Sequence, residues 1–132
     1  MNDGDGTAGH GRPENLRKRT RQFALTVIGL TSELPKTETG RVIGRQLLRS
    51  GTSAGAHYRE GTRARSTAEF VSKMEGGLQE LEESMYWMEL ILEAGLLPED
   101  RVRPLLSESS ELAAIFVTCV KNAKARRSNP AD

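Results

Sequence analysis

The sequence is poor in several residue types, and each shortage excludes a class of protein. One cysteine, Cys119, occurs among 132 residues, which excludes an intrachain disulfide scaffold and makes a reducing compartment the default expectation. No apolar run approaches the ~18 residues of a membrane span, and residues 1–11 lack the apolar segment of a secretory signal. Aromatic residues make up 5% of the chain, which suits helices better than a β-sandwich. We therefore expect a cytoplasmic, helical protein.

Histidine is also scarce, and this excludes most metal and catalytic sites. The chain has His10 and His57 only, too few for a closed zinc site or for a di-iron bundle. Ser50 and Ser53 share a helix face with His57, but nucleophilic catalysis also needs an orienting acid and an oxyanion site. The spacing of Arg49 and His57 along the sequence also does not fit the helical nucleases, in which a histidine follows an arginine by four to six residues. We predict no enzyme, no metal and no cofactor, and interpret His57 as partly buried and hydrogen-bonded to a neighbouring helix.

The chain length and the apolar pattern predict one all-α domain with loose ends. Residues 1–12 carry too little apolar surface to fold and are predicted to be a disordered tail, while residues 128–132 are expected to fray. Between them, residues 13–127 show apolar side chains every three or four positions and no strand alternation. Short connections then favour an up-down-up-down antiparallel four-helix bundle.

Stop and start signals divide this stretch into four helices. The predicted helices cover about residues 13–34, 41–63, 67–94 and 98–127. Pro35 ends the first helix, residues 66–69 form a capping box for the third, and Gly95 is placed for a left-handed cap at its end. Residues 50–56 are poor helix formers, but the apolar spacing continues through them. We expect their small side chains to let a neighbouring helix approach closely.

The predicted core consists of one seam on each helix. The seams are Leu16, Thr20, Phe23, Val27, Leu30 and Leu34; Ile43, Leu47, Ser50, Ala54, His57 and Gly61; Val71, Met74, Leu78, Leu81, Met85, Met88 and Leu92; and Val102, Leu105, Leu106, Ser109, Leu112, Ala113, Phe116 and Val120. Because Met85 is placed on the third seam, Met85→Asp is predicted to unfold or disassemble the protein.

The net charge of +1 conceals two oppositely charged halves. Residues 12–65 hold 12 Lys/Arg against 4 Asp/Glu, whereas residues 66–118 hold 3 against 11. Arginine favours planar anions such as phosphate and carboxylate, so the basic residues predict a surface that follows a nucleic-acid backbone. The candidates are Arg17, Lys18, Arg19, Arg21, Arg41, Arg45, Arg49, Lys121, Lys124, Arg126 and Arg127. The alternative is a set of ion pairs to acidic residues of the third helix, which are Glu80, Glu82, Glu83, Glu89 and Glu93.

Three apolar and aromatic residues of the third helix lie outside its seam. Tyr86 and Trp87 could stack on nucleic-acid bases, but such residues are also enriched in protein interfaces, the reading we favour. Together with Leu90 they are predicted to bury surface between subunits.

Three stretches of the sequence carry a family resemblance. Residues 46–60 (QLLRSGTSAGAHYRE), 65–71 (RSTAEFV) and 80–90 (ELEESMYWMEL) resemble the four-helix-bundle proteins encoded in 23S rRNA intervening sequences. That family is related to the accessory variability protein of diversity-generating retroelements. The sequence departs from it at His57, where asparagine is common, and at Gly76 and Gly77, where larger residues are usual.

The resemblance implies a cytoplasmic, non-catalytic bundle that assembles as a ring-shaped homopentamer. Its retroelement relatives bind nucleic acid and a reverse transcriptase. We therefore predict an oligomeric adaptor that binds RNA or DNA and serves a reverse transcriptase or mobile element. The alternative is a structural scaffold that binds only protein. The opposite charges of the two halves favour a closed ring joined by unlike faces over a two-fold dimer.

Overall fold

Residues 13–127 form four antiparallel helices, as the sequence predicts. The computed structural model describes residues 13–127, and the predicted loose ends at 1–12 and 128–132 lie outside them. The helices are α1 (Pro13–Ser32), α2 (Glu38–Thr62), α3 (Thr67–Glu93) and α4 (Glu99–Arg127), with no strand in the described part. Each helix packs on the next along the chain, and α4 returns to α1 through a narrower contact. Across these 115 positions, no helix is long and apolar enough to cross a membrane.

Local capping sets the helix ends. Thr37 accepts a hydrogen bond from the Gly40 amide at 3.1 Å, so α2 begins three residues before the predicted Arg41. Ser66 accepts from the Glu69 amide at 3.0 Å, which confirms the N-cap half of the predicted capping box; the reciprocal bond from the Ser66 amide to Glu69 is replaced by one from the residue before it. The Glu69 carboxylate accepts from the amide of Arg65, one residue before the cap. Gly95 ends α3 with φ +66°, the left-handed conformation expected there.

The predicted core seams of α1, α2 and α4 are largely confirmed. Every predicted position of α1 is buried, and α4 departs only at Leu106, which is half-buried. On α2, His57 is half-buried and the predicted seam misses Tyr58, which is 3% exposed. On α4 the structure also buries Ile115 and Ala123.

The predicted seam of α3 is wrong at three of its seven positions. Gly77, Ser84 and Ile91 are buried, whereas Leu78, Met85 and Leu92 are only half-buried at its margin. Ser84 is fully buried because its hydroxyl lies 2.8 Å from that of Ser50 on α2. Gly77 makes room for neighbours on two helices, because a Cβ added there would lie 2.7 Å from Cε2 of Phe116 on α4 and 3.3 Å from Cβ of His57 on α2.

Glycines allow α1 and α2 to approach closely, as the small-residue segment predicts. A Cβ added at Gly51 would lie 2.7 Å from Val27 Cγ2, and one added at Gly55 would lie 3.1 Å from Thr20 Oγ1. Residues 50–56 are helical, and their missing side chains make room for α1. This contact brings the basic residues of α1 and α2 onto one surface.

Candidate nucleic-acid interface

Three of the eleven predicted nucleic-acid contacts are engaged with carboxylates instead. The first is Arg19, whose side chain is 18% exposed. Its guanidinium donates to Glu108 at 2.8 Å and to Glu111 at 2.5 Å, which joins α1 to α4. These hydrogen bonds raise the pKa of Arg19, with Glu108 as the largest cause. A guanidinium held by two carboxylates is a structural ion pair and a poor candidate for phosphate binding.

Arg49 forms the second such pair, between α2 and α3. It donates to Glu80 at 3.2 Å and to Glu83, so two of the five carboxylates of the predicted ion-pair alternative are used. The hydrogen bond from Arg49, and then that from Trp87, hold the pKa of Glu83 below its ordinary value. Trp87 Nε1 donates to Glu83 at 3.0 Å, so the indole belongs to the same cluster.

Lys124 is the third predicted contact that meets a carboxylate. Its ammonium lies 3.3 Å from Glu75 and ties the end of α4 to α3. A further pair, Arg101 with Glu33, joins α4 to α1 at the opposite end of the bundle. The basic and acidic halves of the sequence are thus partly neutralised within one subunit.

Four of the five remaining arginines of α1 and α2 form a different surface, which we call the arginine face: Arg21, Arg41, Arg45 and Arg59. They line two shallow grooves between these helices, one of about 260 Å³ with Arg21 and Arg59 and one of about 210 Å³ with Arg41 and Arg45. Within residues 13–127, no carboxylate lies within ion-pair distance of any of the four. Arg41 Nη2 donates to the backbone carbonyl of Lys36 at 3.0 Å, and the other guanidinium donors of the arginine face are available to an anion.

Arg59 was not among the predicted contacts, although a sequence signal existed. It follows Arg41 by 18 residues, which is five turns at 3.6 residues per turn, so the two lie on the same side of α2. Arg59 and Arg63 continue the basic character of the predicted second helix, but the contacts predicted on that helix were Arg41, Arg45 and Arg49 only. Of those three, Arg49 is turned toward α3 and paired there.

Exposed apolar side chains accompany the arginine face. Leu25 and Ile28 of α1 are 53% and 48% exposed, and Leu48, which lines the groove with Arg41 and Arg45, is 38% exposed. An apolar group beside cations is found at protein interfaces as well as at nucleic-acid surfaces. The sequence prediction missed these three residues because they lie outside the seams.

The other predicted contacts are exposed at the ends of helices. Arg17 and Lys18 lie in the first turns of α1, and Lys121, Arg126 and Arg127 lie in the last turns of α4. None of these five has an ion-pair partner in the described part of the chain. They extend the positive surface beyond the arginine face.

The predicted interface residues of α3 are accessible in the single chain. Tyr86 is 53% exposed, while Trp87 and Leu90 are half-buried against the core. The Tyr86 and Trp87 rings meet edge to face with centroids 5.0 Å apart. Because the indole nitrogen is bonded to Glu83, the exposed phenol ring is the part free to contact a partner.

His57 packs against glycines of α3 and does not form the predicted hydrogen bond to a neighbouring helix. Its Nδ1 is buried without a hydrogen-bond partner, 3.6 Å from a Glu60 oxygen. Cβ atoms added at Gly76 and Gly77 would lie 3.2 Å from ring atoms and 3.3 Å from Cβ of His57, respectively. The three departures from the family pattern are therefore one packing unit. The hydroxyl of Ser53 donates to the carbonyl of Arg49 at 2.6 Å and is not directed to the imidazole.

The described residues hold no group of three or more metal-ligating side chains.

Comparison with known proteins gives a family and a fold. Residues 14–118 match the profile of a family described as "23S rRNA-intervening sequence protein". A solved structure from Bacteroides thetaiotaomicron, described as a protein of unknown function from the S23 ribosomal protein family, is similar with a TM-score of 0.77. It is 28% identical, and the match covers 83% of this chain and 97% of that one. No curated protein matches.

Proposed function

The chain belongs to the 23S rRNA-intervening sequence protein family, and from this premise we propose that it is a non-catalytic, oligomeric adaptor that binds nucleic acid through its arginine face. Guanidinium groups would hold phosphates of RNA or DNA while a partner enzyme performs the chemistry. The family resemblance suggests a reverse transcriptase or another enzyme of a mobile element as that partner.

One observation carries the proposal: the division of the arginines into paired and unpaired groups. Arg19 and Arg49 are held by two glutamates each, whereas the four guanidinium groups of the arginine face have no carboxylate partner within residues 13–127. Unpaired cations on one surface are the electrostatic pattern expected of a nucleic-acid-binding protein.

A salt titration of binding tests the proposal. The affinity for generic single-stranded RNA and for duplex DNA is measured by fluorescence anisotropy at several salt concentrations. Each phosphate contact contributes about −0.7 to the log–log slope for single strands and about −0.9 for duplex DNA. We expect Arg21→Gln combined with Arg45→Gln to reduce the slope by about 2.

Arg101→Gln is the matched control, because Arg101 is already paired with Glu33. It removes one positive charge, half of what the double variant removes, and is expected to leave the slope unchanged. A slope near zero for the unaltered protein, or equal losses in the control and the double variant, would contradict the proposal.

A protein-binding scaffold is the second candidate, and the exposed Leu25, Ile28 and Leu48 favour it. Apolar side chains contribute little to phosphate binding but supply the buried area of a protein interface. A salt slope near zero together with retained oligomerisation would support this candidate over the first.

We further propose that copies of the chain join through unlike faces into a ring, with the resemblance suggesting five subunits. Glu82, Glu89 and Glu93 of α3 are exposed and have no basic partner within the described residues, so α3 can face the basic surface of the next copy. Tyr86 and Leu90 would supply apolar burial. Light scattering across protein and salt concentrations measures the mass, and a monomer or a fixed dimer would refute the ring.

A further inference from the structure

A cavity larger than both grooves of the arginine face opens at one end of the bundle. Its volume is about 560 Å³, within the range of about 300–1,000 Å³ typical of small-molecule sites. The turn between α2 and α3 and the last turns of α4 form its walls, and Leu16 of α1 contributes to its base. Leu16 and Tyr58 are nearly or fully buried, so the inner part of the cavity belongs to the core of the bundle.

The lining combines apolar side chains with cations. The half-buried Phe70 and Cys119 offer carbon surface, while Leu16 and Tyr58 are almost fully covered. The exposed Arg65 and Arg126 are the charged residues that line the cavity. Neither arginine has an ion-pair partner in residues 13–127, and no carboxylate lines the cavity. The first residues of α3 also border it, and the positive end of a helix favours negative charge.

From this lining we infer that the cavity binds a small amphipathic anion, with an apolar body against Tyr58 and Phe70 and a carboxylate or phosphate head group at Arg65 and Arg126. An apolar molecule without charge would gain nothing from the two exposed guanidinium groups, and a bare anion would leave the partly exposed ring of Phe70 in water. Only a ligand with both parts satisfies the two halves of the lining. Arg65 is not part of the arginine face, so the site can be tested separately from nucleic-acid binding.

Cys119 provides a built-in reporter of occupancy. It lines the cavity and is the only cysteine of the chain, so a thiol reagent modifies this one position. Burial raises the pKa of the Cys119 thiol, with the charge of Arg126 acting weakly in the opposite direction. Alkylation by iodoacetamide at pH 8.5 is therefore expected to be slow, and a ligand in the cavity would make it slower still.

The experiment measures binding of octanoate and octyl phosphate to the full chain by isothermal titration calorimetry, with octanol as the uncharged comparison. We expect saturable binding of at least one anion, about tenfold tighter than octanol, because a hydrogen bond to a charged group is worth about a factor of ten or more. Arg65→Met is expected to remove most of this preference. Arg45→Met, which deletes a guanidinium of the arginine face, should bind as the unaltered protein does.

A second variant tests the location. Thr62 lies exposed at the cavity mouth, so Thr62→Trp fills the entrance without altering the core. It should abolish anion binding and the protection of Cys119 while leaving the thermal unfolding temperature within a few degrees. Absence of saturable binding, equal affinity for octanol, or full binding by Thr62→Trp would each overturn the assignment.

Discussion

His57 and the glycines beneath it allow a double-mutant cycle with a defined expectation. Alanine in place of glycine inside a helix stabilises a protein by about 1 kcal/mol when nothing opposes the new methyl group. At Gly76 the added Cβ would lie 3.2 Å from Cε1 and Nδ1 of His57, so the ring must move by a few tenths of an ångström. We expect Gly76→Ala to gain less than about 0.5 kcal/mol in the unaltered protein, because this contact offsets the helical gain.

Removal of the ring should release that gain. In a His57→Ala background, Gly76→Ala meets no imidazole and is expected to stabilise by about 1 kcal/mol. The coupling between the two changes is then at least about 0.5 kcal/mol, which is measurable for residues in contact. Urea denaturation at one fixed protein concentration supplies the four free energies of unfolding.

Gly77→Ala is the matched control in the same cycle. Its Cβ would lie 2.7 Å from Cε2 of Phe116, a fully buried ring on α4, and 3.3 Å from Cβ of His57. Since His57→Ala retains Cβ, the loss of about 1–3 kcal/mol should be the same in both backgrounds. Equal effects of Gly76→Ala with and without the imidazole would refute the packing explanation.

Three other predictions concern the core and the ion pairs. Gly29→Ala should raise the free energy of unfolding by up to about 1 kcal/mol, because no atom lies within 4 Å of the added Cβ, whereas Gly51→Ala should lower it through contact with Val27; urea denaturation compares them. Met88→Asp should prevent folding, as judged by circular dichroism, while Met85→Asp at the half-buried margin should lower the free energy of unfolding by less. The reverse order would show that α3 is rotated about its axis relative to the structure described. Glu83→Gln should lower the thermal unfolding temperature at pH 7 more than Glu82→Gln does. The pKa of Glu83 is lowered in the folded protein from its ordinary value of 4.5, so its carboxylate stabilises the fold above pH 4.5, and this contribution is lost as the pH falls below that value. A difference between these two variants that grows below pH 4 would contradict that assignment.

The fold was predictable because its determinants are local. The 3,4 spacing of apolar residues, the Ser66 cap and the left-handed Gly95 each act within a few residues, and all three are confirmed. The rotation of α3 was predicted less well. Size and hydrophobicity favoured Leu78 and Met85, but close contacts with α2 and α4 need small residues there: Gly77 packs against Phe116 of α4, and Ser84 meets a serine of α2.

The candidate site was predictable only in its composition. The sequence shows which residues are cationic, but the pairing of Arg49 and the freedom of Arg45 depend on which helix lies beside each side of α2. Likewise, the sequence shows His57 and Gly76 only as separate departures from the family pattern, because their contact exists only after α2 and α3 are packed. Such long-range partners are absent from any local pattern.

The contact between α1 and α4 is narrower than the contacts between consecutive helices, so the bundle is held together least firmly along that edge. Two ion-pair groups, Arg19 with Glu108 and Glu111 and Arg101 with Glu33, fasten it near its two ends. The glycine-rich contact, by comparison, fixes α1 firmly to α2. Counterions that screen exposed pairs act on the fastened edge and leave the glycine contact untouched. The α1–α2 hairpin can therefore move as one body about its contact with α3, and the arginine face then moves with it as a unit.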